Sequence, residues 1–311
     1  MKKILLLSVG LLFLTIQSVF AQTELGMTSH WYNRANYNPA SIARAGFIYF
    51  FSNYRNQWTG IDGAPEIYNL NASGFYEEYH SAFGISMLRD DIGLTTALNP
   101  TLQYAYQLKL DRDLFLSLGL AVGVYTRSVN TSAYEAVIID DPALDYTSER
   151  YSSPDASLGF ELQAEYFIVG ASTTHLFALW KSDDELLISN HRYFYAYYKN
   201  TEKEAYNLTA GIQLSNRSNL TVVEGTGIIR FKRPTGLVKG PTELFDLGAT
   251  YRTSNELTLL CGINISRNIR IGYTYDFNLG SELKSNPSHE FLIEYRIPLR
   301  RYRNTDFIWY N

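Results

Sequence analysis

Few side chains in this chain of 311 residues have the types and spacing that chemistry demands. Ser288, His289 and Glu290 are the residue types of a hydrolytic triad. Consecutive residues of an extended strand alternate between its faces, however, so these three cannot hydrogen-bond one another as nucleophile, base and orienting acid. The five histidines, His30, His80, His175, His191 and His289, lack the ligand spacing of a metal site. Gly225-Thr226-Gly227 is a glycine pair outside any phosphate-loop context. Asp90 and Asp91, close to Gly93, read as a turn rather than a carboxylate pair, and the acidic run from Asp140 to Glu149 offers at most weak oxygen ligation to a divalent cation. Cys261 is the sole cysteine and sits among Leu257, Leu259, Ile263 and Ile265, as a small hydrophobe rather than a nucleophile. The expectation is a protein with no catalytic residues, no cofactor and no metal. A net charge of −4 gives no basis for nucleic acid as a partner.

With no reactive constellation, the question becomes what kind of wall the chain builds. Residues 268–299 show the pattern best. Ile271, Tyr273, Tyr275, Phe277 and Leu279 alternate with Arg270, Gly272, Thr274, Asp276 and Asn278. Beyond Ser285-Asn286-Pro287, Phe291, Ile293, Tyr295, Ile297 and Leu299 alternate with Glu290, Leu292, Glu294 and Arg296. This is a period-two hairpin with one apolar and one charged face. In a soluble sandwich the apolar face would meet a second sheet. In a membrane barrel it meets lipid, and the polar face lines the interior.

The start of the chain points to export. Met1-Lys2-Lys3 is a short positive segment, residues 4–19 are almost wholly apolar, and Val19-Phe20-Ala21 before Gln22 is a small-x-small cleavage site. Residues 1–21 therefore read as a signal peptide. Beyond them no stretch approaches the roughly 20 apolar residues of a spanning helix, so a membrane position must be reached with strands. The 25 Tyr and 17 Phe residues suit strands and the aromatic girdles of outer-membrane barrels.

Residues 22–46 have no clean period and read as an irregular leader tucked against or into the barrel. From Phe47 onward, period-two segments follow one another, separated by breakers such as residues 60–65, Asp111-Arg112-Asp113, residues 182–185 and Asn216-Arg217-Ser218-Asn219. The plainest is Leu114, Leu116, Leu118, Leu120, Val122 and Val124 against Phe115, Ser117, Gly119, Ala121, Gly123 and Tyr125. Residues 130–154 read as a long acidic loop. The count reaches about fourteen strands with short turns and a few longer loops, the pattern of an outer-membrane barrel. The expected fold is all-β: a single antiparallel transmembrane β-barrel over residues 47–299, with short periplasmic turns, longer extracellular loops and a tail over residues 300–311.

The inward positions include Gly119, Gly123, Gly211, Gly248, Gly262 and Gly272, with charges of both signs at Asp246, Arg252, Glu256, Arg270, Asp276, Glu290, Glu294 and Arg296. These charges predict ion pairs in a narrow or filled lumen. The glycines fit two readings equally: a plug or bound chain close to the wall, or simple barrel curvature.

Several segments together resemble the PorP/SprF family, outer-membrane proteins associated with the type IX secretion system of Bacteroidetes. They are Tyr37-Asn38-Pro39-Ala40 with Ala45-Gly46, Tyr54-Arg55-Asn56-Gln57-Trp58, Gly60-Ile61-Asp62-Gly63-Ala64-Pro65, Asp90-Asp91-Ile92-Gly93, Phe167-Ile168-Val169-Gly170-Ala171-Ser172, Gly272-Tyr273-Thr274-Tyr275-Asp276 and Ser288-His289-Glu290. The Arg-x-Gln-Trp segment with its Gly-x-x-Gly-x-Pro turn is the most specific. Ala171, where a larger apolar residue is expected, and the tail past the last strand depart from the pattern.

The resemblance implies a non-catalytic barrel, set in outer-membrane lipid, that assists export or surface attachment of a cargo with a type IX C-terminal domain, a gliding adhesin among the candidates. It implies periplasmic or lipoprotein parts of the secretion or gliding machinery as partners. Within that frame Asn38, Pro39, Arg55, Gln57, Trp58, Gly60, Gly63 and Pro65 form the expected structural and docking motif. Arg55 and Gln57 share strand parity and Trp58 takes the other face; the alternative is that Arg55 is an internal ion-pair partner and Trp58 an interfacial anchor. The rival readings are a passive diffusion channel or small-molecule transporter, and a structural protein without cargo.

Overall fold

A wall whose two faces meet different solvents should show it in every strand, and the computed structural model does. It describes residues 26–44, 46–130, 149–180, 188–200, 205–217, 220–232, 243–280 and 285–299. The expected signal peptide, the first leader residues, the acidic segment before Glu149, the breaker at residues 182–185 and the tail lie outside the described residues.

Among the described residues there are fourteen strands: β1 (Phe47–Asn56), β2 (Glu66–Tyr76), β3 (Ser81–Ile92), β4 (Thr95–Asp111), β5 (Leu114–Val129), β6 (Glu149–Gln163), β7 (Phe167–Thr174), β8 (His191–Asn200), β9 (Tyr206–Arg217), β10 (Leu220–Lys232), β11 (Glu243–Arg252), β12 (Glu256–Asn264), β13 (Ile269–Asn278) and β14 (Ser288–Pro298). Each pairs antiparallel with its chain neighbours, and β1 pairs with β14 from Phe47↔Pro298 to Asn56↔His289, so the sheet closes into a barrel.

Burial decides between sandwich and barrel. Along β10, Val222, Glu224, Thr226, Ile228 and Arg230 are buried while Val223, Ile229 and their outward neighbours are exposed. Arg230, Glu290 and Glu294 lie at 2%, 0% and 1% exposure, whereas Leu102 is 65% exposed. Charges inside and aliphatics outside invert a water-soluble protein and match a barrel in lipid. No helix among the described residues is long and apolar enough to cross a membrane.

Two expectations are corrected. The segment before Ala156 is not all loop: Glu149 to Pro154 belong to β6, paired with β5 out to Val129↔Glu149. Pro154 is tolerated because the β6–β7 ladder starts only at Leu158↔Thr173, so one flank of β6 has no ladder there. Asp90 and Asp91 lie within β3, paired with Ala97 and Thr96 of β4. The turn is Gly93-Leu94, with Gly93 at φ +56°.

β1 begins at the mouth where β14 ends. That mouth carries the connections at residues 77–80, 112–113, 164–166, 201–205, 233–242 and 265–268, and the opposite mouth carries the longest ones, residues 130–148 and 175–190, with residues 57–65 and 279–287. Short turns face the periplasm and long loops the outside, which assigns the mouth holding the start of β1 to the periplasm.

The lumen is filled by the chain's own leader. Residues 27–43 are buried almost without exception, shaped by two 3-10 turns, Ser29–Trp31 and Pro39–Ile42. Trp31 and Tyr32 pack with Tyr49, Phe51, Ile168, Tyr195, Tyr197, Ile228, Leu260 and Leu292 of the wall. Leu292, an apolar residue on the charged face of β14, therefore serves the plug rather than the lipid.

Candidate functional site

The plug and the residues that seat it are the candidate site. Its lower half is built on Asn38. The Asn38 carboxamide oxygen accepts from the Ala40 N–H at 2.9 Å and caps the turn, while Pro39 presets the backbone at its first position. The Asn38 amide donates to the Phe160 carbonyl at 2.9 Å and the Tyr195 hydroxyl at 2.8 Å. Gly119 of β5 and Gly159 of β6 form the slot that receives it. A Cβ at Gly119 would run into the backbone of Pro39 and Ala40, and one at Gly159 into the Asn38 side chain. At Gly262 a Cβ would meet Asp246 and the Tyr32 hydroxyl. A Cβ at Gly123, Gly211, Gly248 or Gly272 would meet other wall atoms instead. The close approach of a plug is thus realised at Gly119 and Gly262 among the inward glycines, while the other four make room for neighbouring wall residues.

The upper half is held by Glu290. This fully buried carboxylate accepts from the Thr28 N–H at 2.8 Å, the Thr28 hydroxyl at 2.6 Å, the Ser29 N–H at 3.2 Å and the Asn53 amide at 2.7 Å. Such convergence on one carboxylate is strong because each bond is charge-assisted. Arg55, paired across β1–β14 with Glu290, places Nη1 at 3.4 Å from Glu290 Oε2 and 2.6 Å from Asp276 Oδ2. Its Nε points to Gln57 Oε1 at 3.4 Å. Arg252 continues the chain of charges, to Glu224 at 2.9 Å, Glu256 at 3.2 Å and Asp276 at 3.9 Å.

Two further anchors hold the middle of the plug. Tyr32 donates to Asp246 Oδ2 at 2.6 Å, and Arg270 pairs with the other oxygen of Asp246 while its guanidinium lies over the Tyr32 ring. Arg34 bonds Glu161 at 3.0 Å, and Tyr195 donates to the same carboxylate at 2.5 Å. Asn33 donates to Asn71 at 2.5 Å.

The predicted lumen charges therefore fall into three groups. Arg252, Asp276 and Glu290 gather with Arg55 and Gln57 beneath Thr28, Asp246 and Arg270 meet at Tyr32, and Glu294, opposite Arg270 in the β13–β14 ladder, pairs with Arg296. The rest of the predicted motif is split. Asn38 and Pro39 lie deep in the lumen, while Trp58, Gly60, Gly63 and Pro65 form the connection at the loop-bearing mouth. There Gln57 N–H donates to the Pro65 carbonyl at 2.9 Å, and Gly60 and Gly63 adopt φ of +97° and +70°. The connection is tied to both neighbours. Trp58 N–H reaches Ser288 Oγ at 3.1 Å, Thr59 N–H the Pro287 carbonyl at 2.8 Å, and Gly93 N–H the Gly63 carbonyl at 2.9 Å.

Sequence reasoning missed Thr28, Tyr32, Arg34, Gly159, Glu161 and Glu224. Glu161, Glu224 and Gly159 carried a signal, since each has inward parity in its strand; the plug residues carried none.

The arrangement pairs its buried charges with one another and with the plug. Among the described residues no group of three or more His, Cys, Asp and Glu could hold a metal ion. A polar cavity of about 50 Å³ between plug and wall, lined by Asn36, Ser86, Asn99, Asp155 and His175, has room for a few water molecules.

None of the curated proteins matches the chain. Solved structures share its fold. The Ralstonia pickettii toluene transporter TbuX is 11% identical, covering 85% of this chain and 93% of its own at a TM-score of 0.52. A TodX monoaromatic hydrocarbon channel mutant is 9% identical, covering 86% and 94%, at a TM-score of 0.50. At such identities the likeness speaks for the barrel alone. The model of the family described as type IX secretion system membrane protein PorP/SprF matches residues 19–295. The chain belongs to the PorP/SprF family of type IX secretion system membrane proteins, and it is a closed fourteen-stranded barrel of the outer membrane.

Proposed function

We propose that this protein is a plugged, non-catalytic scaffold of type IX secretion that assists export or cell-surface attachment of a partner protein bearing a type IX C-terminal signal, a gliding adhesin being one such client. One observation carries the reading: the lumen is occupied by residues 27–43, seated in a glycine slot and satisfied by wall carboxylates. A barrel whose interior is built to hold its own chain has its outer surfaces left for work. Arg55 and Gln57 are buried at 2% and 4%, so their part in docking is to fix the plug and the base of the mouth connection. The exposed residues 59–63, with the half-buried Trp58, make the surface a partner meets, alongside periplasmic or lipoprotein parts of the machinery at the other mouth. In this reading residues 1–21 direct export and are removed, residues 22–46 are the leader that supplies the plug, residues 47–299 the barrel and residues 300–311 a C-terminal tail.

The experiment is a pair of measurements on the purified full-length barrel. Liposome swelling should show no solute flux, and affinity capture should retain a protein carrying a type IX C-terminal signal. Capture should weaken in Trp58→Ala with membrane insertion intact. Robust flux without capture would favour a diffusion channel and overturn the scaffold reading.

A further inference from the structure

We infer that the turn Leu176–Trp180 is an apolar foot embedded in the acyl chains of the membrane leaflet at the loop-bearing mouth. The inference goes beyond the scaffold reading and does not depend on it.

β7 has 8 residues, fewer than any other described strand and fewer than the roughly 9 to 11 a tilted strand uses to cross the hydrocarbon layer. β6 beside it has 15 residues, and its ladder with β5 continues to Glu149 while its ladder with β7 stops at Leu158. The wall therefore has a notch above Thr174, flanked by the unpaired side of β6.

The chain fills the notch with its next residues. His175 takes φ +55° and reverses the direction, its Nδ1 lies 3.0 Å from Asp155 Oδ2 of β6, and the Ala178 N–H donates back to the His175 carbonyl at 3.1 Å. Asn190 donates to the Thr174 carbonyl at 2.7 Å and ends the strand. The turn packs against β6. At that level Asp155, Ala156 and Ser157 are all buried, although successive strand residues point to opposite faces. Ala156 shares outward parity with the exposed Leu158 and Phe160, so the turn covers the lipid side of β6 there.

What the turn then shows to the outside is Phe177, Leu179 and Trp180, the last 75% exposed, with the Phe177 and Trp180 rings 6.2 Å apart and no charge among residues 176–180. Leu158 and Phe160 of β6 and Phe194 of β8 lie exposed in the same belt, while the outward row of β7 dwindles from Phe167 to Val169, Ala171 and Thr173. The turn thus continues an apolar surface that already faces lipid, and a tryptophan suits the end of such a belt because its ring is amphipathic. Three large apolar side chains held in water would be an aggregation liability instead.

Trp180 supplies the probe. The chain has four tryptophans. A Trp31→Phe, Trp58→Phe, Trp309→Phe protein in vesicles reports Trp180 alone. Its emission should be blue-shifted, lose most of its intensity when the phosphatidylcholine is brominated along the acyl chains, and resist aqueous iodide. Because Trp31 is buried in the plug, a second protein guards against failed folding: Leu179→Cys with Cys261→Ser, carrying an environment-sensitive fluorophore and read the same way. Emission quenched by iodide and indifferent to bromolipid, in either protein, would overturn the proposal and make the turn a water-facing surface for a protein partner.

Discussion

Arg55 of β1 reaches across β14 to Asp276 of β13, with Nη1 2.6 Å from Oδ2 and both side chains withdrawn from solvent. The bridge passes over Glu290, so one guanidinium serves two carboxylates on two strands and, through Glu290, the N–H groups of Thr28 and Ser29 in the plug.

Arg55→Ala leaves two buried carboxylates facing each other. Removing one partner of a buried ion pair costs about 3–5 kcal/mol, so the urea midpoint of the folded barrel in detergent should fall by that equivalent. Arg55→Ala combined with Asp276→Ala removes one of the two stranded charges and should recover part of the loss. An unchanged midpoint for Arg55→Ala would mean that the cluster contributes nothing to holding the wall.

Gly119 tests the plug's seat separately from the charges. Gly119→Ala puts a methyl group into the backbone of Pro39 and Ala40, and overpacking of this kind costs about 1–3 kcal/mol. Gly225→Ala is the matched control, with no atom within 4 Å of the added carbon, and should stay within about 0.5 kcal/mol. Gly119→Leu should go further, displacing the plug and giving solute flux in swelling assays where the parent gives none. Equal stability of the Gly119 and Gly225 variants would show that the slot is not tight.

The wall was legible because hydrocarbon and lumen impose opposite chemistry on alternate residues. Hence Tyr273, Phe291 and Ile293 against Asp276, Glu290 and Glu294 could be sorted by parity alone. Legibility failed where that contrast ends. Ser152, Ser153 and Pro154 of β6 belong to the part of the strand at the loop-bearing mouth, most of it exposed, so a polar run on a strand looked like loop. The plug failed for another reason. Its burial depends on partners far along the chain, as with Arg34 and Glu161, 127 residues apart, and an irregular segment has no period that would give Arg34 a face. Asn38 and Pro39 were picked out by resemblance, and only the coordinates reveal that they sit against Gly119 and Gly159.

Tyr32 and Arg270 share Asp246, and the two interactions should differ in weight. Tyr32→Phe removes one hydrogen bond while Arg270 keeps the carboxylate satisfied, a loss of about 1 kcal/mol. Asp246→Ala takes the carboxylate from both partners at once and should cost about 3–5 kcal/mol. Urea midpoints of the two variants order the effects. A larger loss for Tyr32→Phe than for Asp246→Ala would contradict an anchor centred on the carboxylate.

The direction in which the plug threads the barrel has a consequence for topology. Gly26 lies against the guanidinium of Arg217, the last residue of β9 at the loop-bearing mouth, whereas the Ala43 carbonyl accepts from Gln107 near the periplasmic end of β4. From Gly26 to Arg44 the leader therefore runs down the lumen, from the loop-bearing mouth toward the other, before β1 begins. Cys261 is exposed on the lipid side, so the test uses a Cys261→Ser background. Ile61→Cys, in the exposed mouth connection, should react with a membrane-impermeant maleimide on intact cells. Arg112→Cys, in the tight turn at the other mouth, should react only once the outer membrane is opened. The reverse pattern would invert the barrel in the membrane and turn the Gly26 end of the plug, with the proposed docking surface at residues 58–63, toward the periplasm.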